Sequence, residues 1–289
     1  MPAGGLLALK NRIKSVQTTK KTTKAMSLIS AAKMKKARVR LDKNGIYLEA
    51  LKHTGNTIFK YADTPERNIL MQENGGSKKL FIILASDTGL CGGFNGNGAV
   101  YLARKYEGEK VSAILSGKRA RYYANKYNFN VIKEYKDPND RITIKEARKM
   151  VGDIVELFLH EGYGEISLVY TKFFSAASQK VVEEKLLPFV LPEAEDPVAE
   201  LDFDLEPDSA EAVEQYIMRQ LEAHFINAVY HSKASEHSAR MMAMDNATNN
   251  AEQMAVDLTG QYNRLRQGAI TQEIAEIIGG LEAMKKKKK

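Results

Sequence analysis

The chain has 289 residues, of which 44% are apolar and 27% charged, a balance typical of a globular protein and not of a disordered one. Its one cysteine, Cys91, excludes an internal disulfide, and its longest purely apolar run, residues 80–85, is far shorter than the roughly 20 residues of a membrane helix. No secretory signal is recognisable, since no positive charge precedes the short apolar stretch at residues 6–9. We therefore expect a cytoplasmic protein without a membrane span.

The net charge of +7 is distributed unevenly along the chain. Residues 1–60 carry 14 Lys or Arg against only Asp42 and Glu49, whereas from residue 210 onward ten bases balance ten acids. The middle is correspondingly acidic, above all in the stretch "EAEDPVAELDFDLEPD". The basic first segment is thus expected to face an acidic partner.

The first segment, residues 1–64, is predicted to form one long helix. It has no proline after position 2 until position 65 and is rich in strong helix formers. Alternating spacings of three and four residues trace a heptad seam from Leu6 to Ile58, with small or polar residues between Lys20 and Ser30. Such a seam indicates a partner helix, but its small and polar middle does not provide the interlocking apolar side chains of a leucine zipper.

The lysines of this helix leave a second function open. They could bind nucleic acid or an anionic membrane surface, which would make the chain a basic helical nucleic-acid-binding or scaffold protein. Against nucleic acid, no aromatic residue precedes Tyr47 to stack on bases, and the charges surround the helix. The lysines concerned are Lys10, Lys14, Lys20, Lys21, Lys24, Lys33, Lys35 and Lys36.

Residues 77–192 alternate strand-like and helical patterns. The strand candidates are "KKLFIILAS", "KVSAILSG", "FNVIKEY", "EISLVYTKF" and "SQKVVEEKLLPFV", and three helix candidates separate the first four of them. This alternation predicts a Rossmann-like α/β domain with a largely parallel sheet. An acidic connector, residues 193–209, leads from it into the last segment.

The glycine-rich sequence "SDTGLCGGFNGNG" follows the first strand, where a phosphate-binding loop would lie. It lacks the Lys-Ser/Thr pair of a Walker loop, and the second strand ends in Ser116 followed by bases, without an acid for a ribose. A tight turn that exploits glycine's conformational freedom is the favoured interpretation over a nucleotide site. No cofactor is predicted.

The last segment, residues 210–289, is predicted to be a second long helix. Its apolar residues also follow a heptad spacing, in pieces. Antiparallel pairing that sets Ile58 beside residue 212 would set Leu6 near residue 264, and the remainder would extend beyond its partner. Either another protein buries the apolar face of this extension, or the extension folds back on the middle domain. The apolar face consists of Ile270, Ile274, Ile277, Ile278 and Leu281.

The histidines of this helix allow a metal site to be considered. His224 and His231 lie one heptad apart, with His237 further on. Zinc ligands on one helix usually lie three or four residues apart, so residues of a helix face or seam are the favoured interpretation. Because no catalytic signature is visible either, we expect a protein without catalytic residues of its own.

Three strings carry a resemblance to a known family: "KNRIKSVQTTKKTTKAMSLISAAKMKKAR", "SDTGLCGGFN" and "YNRLRQGAITQEIAEIIGG". In this order and spacing they resemble the gamma subunit of the bacterial F-type ATP synthase. The resemblance implies a non-catalytic rotor shaft: an antiparallel coiled coil inside a ring of three alpha and three beta subunits, above a Rossmann-like domain. It also implies an epsilon subunit and a membrane c-ring as partners, attachment to the cytoplasmic face of the cell membrane, and coupling of proton or sodium flow to ATP synthesis or hydrolysis.

The resemblance further implies roles for individual residues. Glu236 and Arg240 match a pair involved in coupling, and Glu206 matches a position near the c-ring. Thr88 stands where family members commonly have Arg, and the cysteine-bearing insertion of chloroplast homologues is missing, so redox regulation by that route is not expected. Seven residues match contacts to the beta subunit: Lys21, Lys24, Met26, Arg264, Arg266, Gln267 and Thr271.

Overall fold

The computed structural model describes residues 2–138, 140–192 and 209–286, with side chains described from residue 5 to residue 281 within these ranges. The chain divides into two compact units, Ser30–Arg240 and the pair of segments Met1–Ile29 and Met241–Lys289. None of the helices in the described ranges combines the length and the apolar character that a bilayer span requires.

Five α-helices and five β-strands make up the regular structure of the described residues, together with a short 3-10 helix at Pro65–Arg67. In chain order they are α1 (Pro2–Tyr61), β1 (Lys78–Leu84), α2 (Phe94–Lys105), β2 (Ser112–Ser116), α3 (Ala120–Lys126), β3 (Asn130–Tyr135), α4 (Ile144–His160), β4 (Tyr163–Phe173), β5 (Gln179–Leu187) and α5 (Ser209–Lys286).

In the unit formed by the two chain ends, α1 and α5 pack antiparallel. The hydroxyls of Thr23 and Thr248 lie 2.7 Å apart, and the Lys20 ammonium lies 2.8 Å from Glu252. The predicted register sets residue 247 opposite Thr23, one residue from the partner observed. Thr23 and Ser27 are buried, so the small polar seam is an interface in which short side chains allow a close approach of the helices.

In the larger unit, the remaining parts of α1 and α5 are also antiparallel. The Asn44 side-chain amide donates to Asn227 Oδ1 at 3.3 Å. Gly55 lies directly under the ring of Tyr216, where a Cβ atom would come within 2.0 Å of the ring. At this point the contact between α1 and α5 leaves no room for a side chain on α1.

The sheet has the strand order β3-β2-β1-β4-β5. The first four strands are parallel and β5 is antiparallel to β4, so the prediction of a largely parallel Rossmann-like sheet is confirmed. β1 is central and buried from Leu80 onward, as its continuous apolar run predicts. The helix α4 begins with a capping box in which Thr143 and Glu146 satisfy each other's backbone N–H groups.

Alternate residues of the strands pack on two helical layers. Leu80 and Ile82 of β1 belong to the cluster that contains α4 and the first turns of α5, whereas Phe81 and Ile83 pack toward α2 and α3. Both faces of the sheet are therefore covered. The predicted long-helix pairing with a central α/β domain is the observed fold, and the acidic connector lies, except for Ser209, outside the described residues.

Candidate functional site

The glycine-rich segment, residues 85–93, is a tightly held turn between β1 and α2. Gly92 has a φ of +58°, which glycine adopts without strain, and Leu90 has a φ of +62°. The Asn95 side chain accepts a hydrogen bond from the Ser86 backbone N–H at 2.8 Å and donates to the Thr88 carbonyl at 3.0 Å. These contacts bind both sides of the turn to the start of α2.

Helix α5 covers the carboxyl edge of the sheet, where doubly wound folds bind their ligands. Ser235 Oγ donates to the Thr171 carbonyl at 2.9 Å, near the end of β4. Ser238 Oγ donates to the Ala176 carbonyl at 2.7 Å, just beyond it. A serine-lined helix face thus packs against the carboxyl edge of the sheet.

Glu236 and Arg240, the predicted coupling pair, form a buried ion pair one helical turn apart. Arg240 Nη1 lies 2.8 Å from Glu236 Oε1, and their side chains are only 10% and 4% exposed. Arg240 also donates to Thr88 Oγ1 at 2.7 Å and to the Gly89 carbonyl at 3.2 Å. The guanidinium therefore joins α5 to the glycine-rich turn, and Thr88 is one of its acceptors.

A second buried ion pair shares Glu236. Lys233 Nζ lies 3.0 Å from Glu236 Oε2 and also binds Asp137, in the segment after β3. Burial alone would raise the pKa of Glu236, but Lys233 and Arg240 hold it below its usual value. For Asp137 burial prevails over the attraction of Lys233 and raises the pKa to about 6.

His237 extends this network toward α1. Its Nε2 lies 2.8 Å from Asp140 Oδ1, and its Nδ1 lies 3.4 Å from Arg240 Nη1. Lys33 of α1 binds the other oxygen of Asp140 at 3.0 Å. Burial tends to raise the pKa of Asp140, but hydrogen bonds from Lys33 and His237 lower it to about 2. α1, α5 and two loops of the sheet domain are thus joined by charged side chains.

The other two histidines considered as metal ligands have local structural roles. His231 Nδ1 accepts a hydrogen bond from the Phe173 backbone N–H at 3.3 Å, and His224 lies 4.0 Å from Glu184. Within the described part of the chain, no group of three or more His, Cys, Asp or Glu is arranged to hold a metal ion.

The proposed beta-contact residues of α1 lie in the smaller unit. Lys21 is exposed and Met26 half-buried. Lys24 is exposed and lies 3.8 Å from Asp245 of α5. On α5, the remaining four contact residues are exposed in the last part of the helix, where Thr271 Oγ1 donates to the Gln267 carbonyl at 3.0 Å: Arg264, Arg266, Gln267 and Thr271. Glu206 lies outside the described residues.

The apolar face near the end of α5 is open to solvent. Its five side chains are between 43% and 64% exposed: Ile270, Ile274, Ile277, Ile278 and Leu281. An apolar surface of this kind marks a place where another protein binds.

Asp137, Asp140 and Lys233 were not among the predicted site residues, and Lys33 was named only for the nucleic-acid-binding alternative. A signal for Lys233 was available, because Lys233, Glu236 and Arg240 have the three- and four-residue spacing at which charged side chains meet on a helix. Asp137 and Asp140 follow a strand in a polar stretch that resembles any surface loop. Their role depends on which helix packs against them.

Fold and site together define a class of protein: a chain whose two terminal helices pair antiparallel and whose Rossmann-like sheet has its carboxyl edge covered by one of them. Comparison with known proteins makes this specific. A family model described as ATP synthase matches residues 5–284. ATP synthase gamma chains of Clostridium perfringens and Clostridium kluyveri are 44% and 42% identical over 287 residues, covering 99% of this chain and 100% of each relative. The chain belongs to the ATP synthase gamma chain family.

Solved structures show the same fold at low sequence identity. A chain of the Euglena gracilis mitochondrial ATP synthase, solved with OSCP, F1 and the c-ring, superposes with a TM-score of 0.72 at 19% identity, covering 99% of this chain and 97% of that one. A chain of the Tetrahymena thermophila mitochondrial ATP synthase, from its central stalk and c-ring, superposes with a TM-score of 0.59 at 20% identity, covering 78% of this chain and 99% of that one.

Proposed function

We propose that this chain is the central-stalk rotor subunit of an F-type ATP synthase, which turns within an alpha/beta catalytic ring and couples proton or sodium flow to ATP synthesis or hydrolysis. The observation that carries the proposal is 44% identity to an ATP synthase gamma chain over that relative's whole length. In this role the subunit supplies no catalytic residue, and its asymmetry sets the states of the sites on neighbouring subunits.

The exposed charges of the smaller unit are consistent with a subunit that rotates against its neighbours. Lys21 and Lys24 are exposed, and ion pairs at exposed positions contribute only about 0–1 kcal/mol each. Such contacts with acidic loops of a surrounding ring can be exchanged repeatedly during rotation. We propose that these two lysines, with Met26, form the beta-facing surface of α1.

The exposed end of α5 supplies the second proposed contact. Arg264, Arg266, Gln267 and Thr271 precede or adjoin the open apolar face, so polar contacts to beta and burial of isoleucines would be made by one stretch of helix. Attachment to the c-ring and to epsilon is assigned to the α/β domain and to the segment that contains Glu206.

The Glu236–Arg240 pair is proposed to act in coupling by holding α5 to the sheet domain. Because both charges are buried and paired, removing one leaves the other uncompensated, which typically costs about 3–5 kcal/mol. A rotor that transmits torque needs such a rigid attachment. Position at the membrane follows from the proposed partners: a peripheral location on the cytoplasmic face, through the c-ring.

The test is assembly. The chain is coexpressed with the alpha and beta subunits of its host and the purified material is weighed by native mass spectrometry; three alpha, three beta and one copy of this chain is the expected composition. Recovery of the chain with nucleic acid and without alpha or beta would instead favour the nucleic-acid-binding alternative, to which the gamma-chain relatives lend no support.

A further inference from the structure

The hydrogen bonds around His237 define which of its ring nitrogens carries the proton. An arginine guanidinium can only donate, so the contact from Arg240 Nη1 requires Nδ1 of His237 to be an acceptor. The proton of the neutral ring must then be on Nε2, which faces the Asp140 carboxylate at 2.8 Å. The ring is only 3% exposed, so water cannot replace either partner without a structural change.

We propose that His237 is a proton-sensitive latch: its neutral ring holds Arg240 against the turn between β1 and α2, and protonation of Nδ1 releases Arg240 from Thr88 and Gly89. A proton on Nδ1 would place two donors and two positive charges against each other. Arg240 keeps Glu236, its partner on the same helix, when it moves away. Protonation therefore breaks the hydrogen bonds from Arg240 to the turn and spares its ion pair within α5.

The surroundings of His237 lower the pKa of its ring below the usual value, so the ring is neutral at neutral pH and gains a proton only on acidification. Burial lowers the pKa of His237, while Glu236 and Asp140 act in the opposite direction. On the remaining sides, Lys33 of α1 binds the Asp140 carboxylate, and Arg40 of α1 donates to the Asp140 backbone carbonyl. Lys233 of α5 lies in the same cluster. In the turn itself, Asp87 accepts hydrogen bonds from the backbone N–H groups of Lys118 and Asp137. Of these neighbours, Asp137, with a pKa of about 6, also gains a proton on acidification, so the test must separate it from His237.

The latch is a property of the chain itself and does not depend on the proposed rotor role. Amide hydrogen exchange of residues 86–93 is measured on the full chain between about pH 7.5 and about pH 5.5, with rates divided by the intrinsic rates at each pH. We expect protection in the wild type to fall at least tenfold on acidification, because one broken hydrogen bond to a charged group corresponds to about tenfold and Arg240 gives up two. An unchanged protection factor would contradict the proposal.

The matched variant is His237→Gln, whose amide can accept from Arg240 and donate to Asp140 but cannot be protonated. We expect its turn to stay protected at both pH values. A decrease equal to that of the wild type would assign the effect to Asp137 and overturn the latch. Thr88→Val, which removes one acceptor of Arg240, should show low protection at both pH values.

A measurement on the unaltered protein covers the case in which the variants fail to fold. The chain has five histidines, so nitrogen NMR of the imidazole rings can resolve each of them. At about pH 7.5 the ring of His237 should be the neutral tautomer with its proton on Nε2. A proton on Nδ1, or a ring that is already charged at that pH, would be incompatible with the latch.

Discussion

At the scale of single residues, Gly55 shows how closely α1 and α5 approach in the larger unit. Its α-carbon faces the Tyr216 ring, whereas Gly45, ten residues earlier on the same helix, has no atom within 4 Å of its missing Cβ. The two glycines therefore make a matched pair.

Gly55→Ala should lower the free energy of unfolding by about 1–3 kcal/mol, because the new methyl group displaces Tyr216. Gly45→Ala should raise it by about 0.5–1 kcal/mol, because alanine is the better helix former. Urea denaturation of the full chain, followed by circular dichroism, measures both. Equal effects of the two changes would mean that the contact with Tyr216 is not constraining.

The pH dependence of stability has one component that belongs to His231. Burial, the largest cause, and nearby Lys172 lower its pKa to about 4, against an unfolded value near 6.5. The folded state keeps this ring neutral, whereas the unfolded chain takes up a proton below about pH 6.5. The folded state is therefore progressively destabilised as the pH falls from about 6.5 to about 4.

His231→Gln should remove this component, so that the acid-induced loss of stability between about pH 6.5 and pH 4 becomes smaller by up to roughly 3 kcal/mol. Thermal or urea unfolding across this pH range gives the comparison. His160→Gln, at the exposed end of α4, is the control. A pH profile in His231→Gln that parallels the wild type would exclude this origin of acid sensitivity.

Met26 tests the proposed contact with the beta subunit. A lysine in its place would add a positive charge at a half-buried position and so favour a persistent ion pair with an acidic partner loop, which resists rotation. We expect Met26→Lys to lower the protons pumped per ATP hydrolysed, whereas Met26→Leu should leave this ratio unchanged. Undiminished pumping in Met26→Lys membranes would count against the contact.

At the scale of elements, the two long helices differ in what they expose at their ends. α5 runs to Lys286 and carries apolar side chains that no described part of the chain covers beyond residue 266. An exposed segment contributes little to the stability of the isolated chain. Its effect should appear only when a partner buries it.

Truncation after Arg266 should therefore leave the melting temperature of the isolated chain nearly unchanged but weaken its assembly with alpha and beta and reduce torque. The control removes only residues 282–289, which keeps every isoleucine of the apolar face. Copurification yield and single-molecule rotation are the measurements. Equal assembly and torque in the two truncations would show that the apolar face is not buried by the alpha and beta subunits.

Much of this element structure could be predicted. Helix and strand identities depend on local periodicity, and the register of the helix pair depends only on equal rise per residue, which explains why Thr23 meets Thr248 within one residue of expectation. The partners of Arg240 could not be predicted in this way. Thr88 and Gly89 are about 150 positions away in the chain, and no local spacing relates them to a helix that folds over the sheet edge.

At the scale of the whole molecule, the chain has a single thiol, and we expect its function not to depend on redox conditions. Cys91 is 1% exposed, and burial raises its pKa, so little reactive thiolate is present. ATP hydrolysis by the assembled complex should be the same, within error, after treatment with dithiothreitol or with a mild oxidant. A reversible change that Cys91→Ala abolishes would reveal thiol control after all.

The amino-acid sequence by itself determined the helices and strands, the parallel sheet, the basic character of α1 and the apolar end of α5, because each follows from composition or spacing over a few turns. Only the tertiary structure decided that α5 covers the carboxyl edge of the Rossmann-like sheet and that Arg240 joins it to the glycine-rich turn. The physical reason is that a buried charge is specified by the partners that satisfy it. Those partners come from segments that are remote in sequence and meet only after the chain has folded.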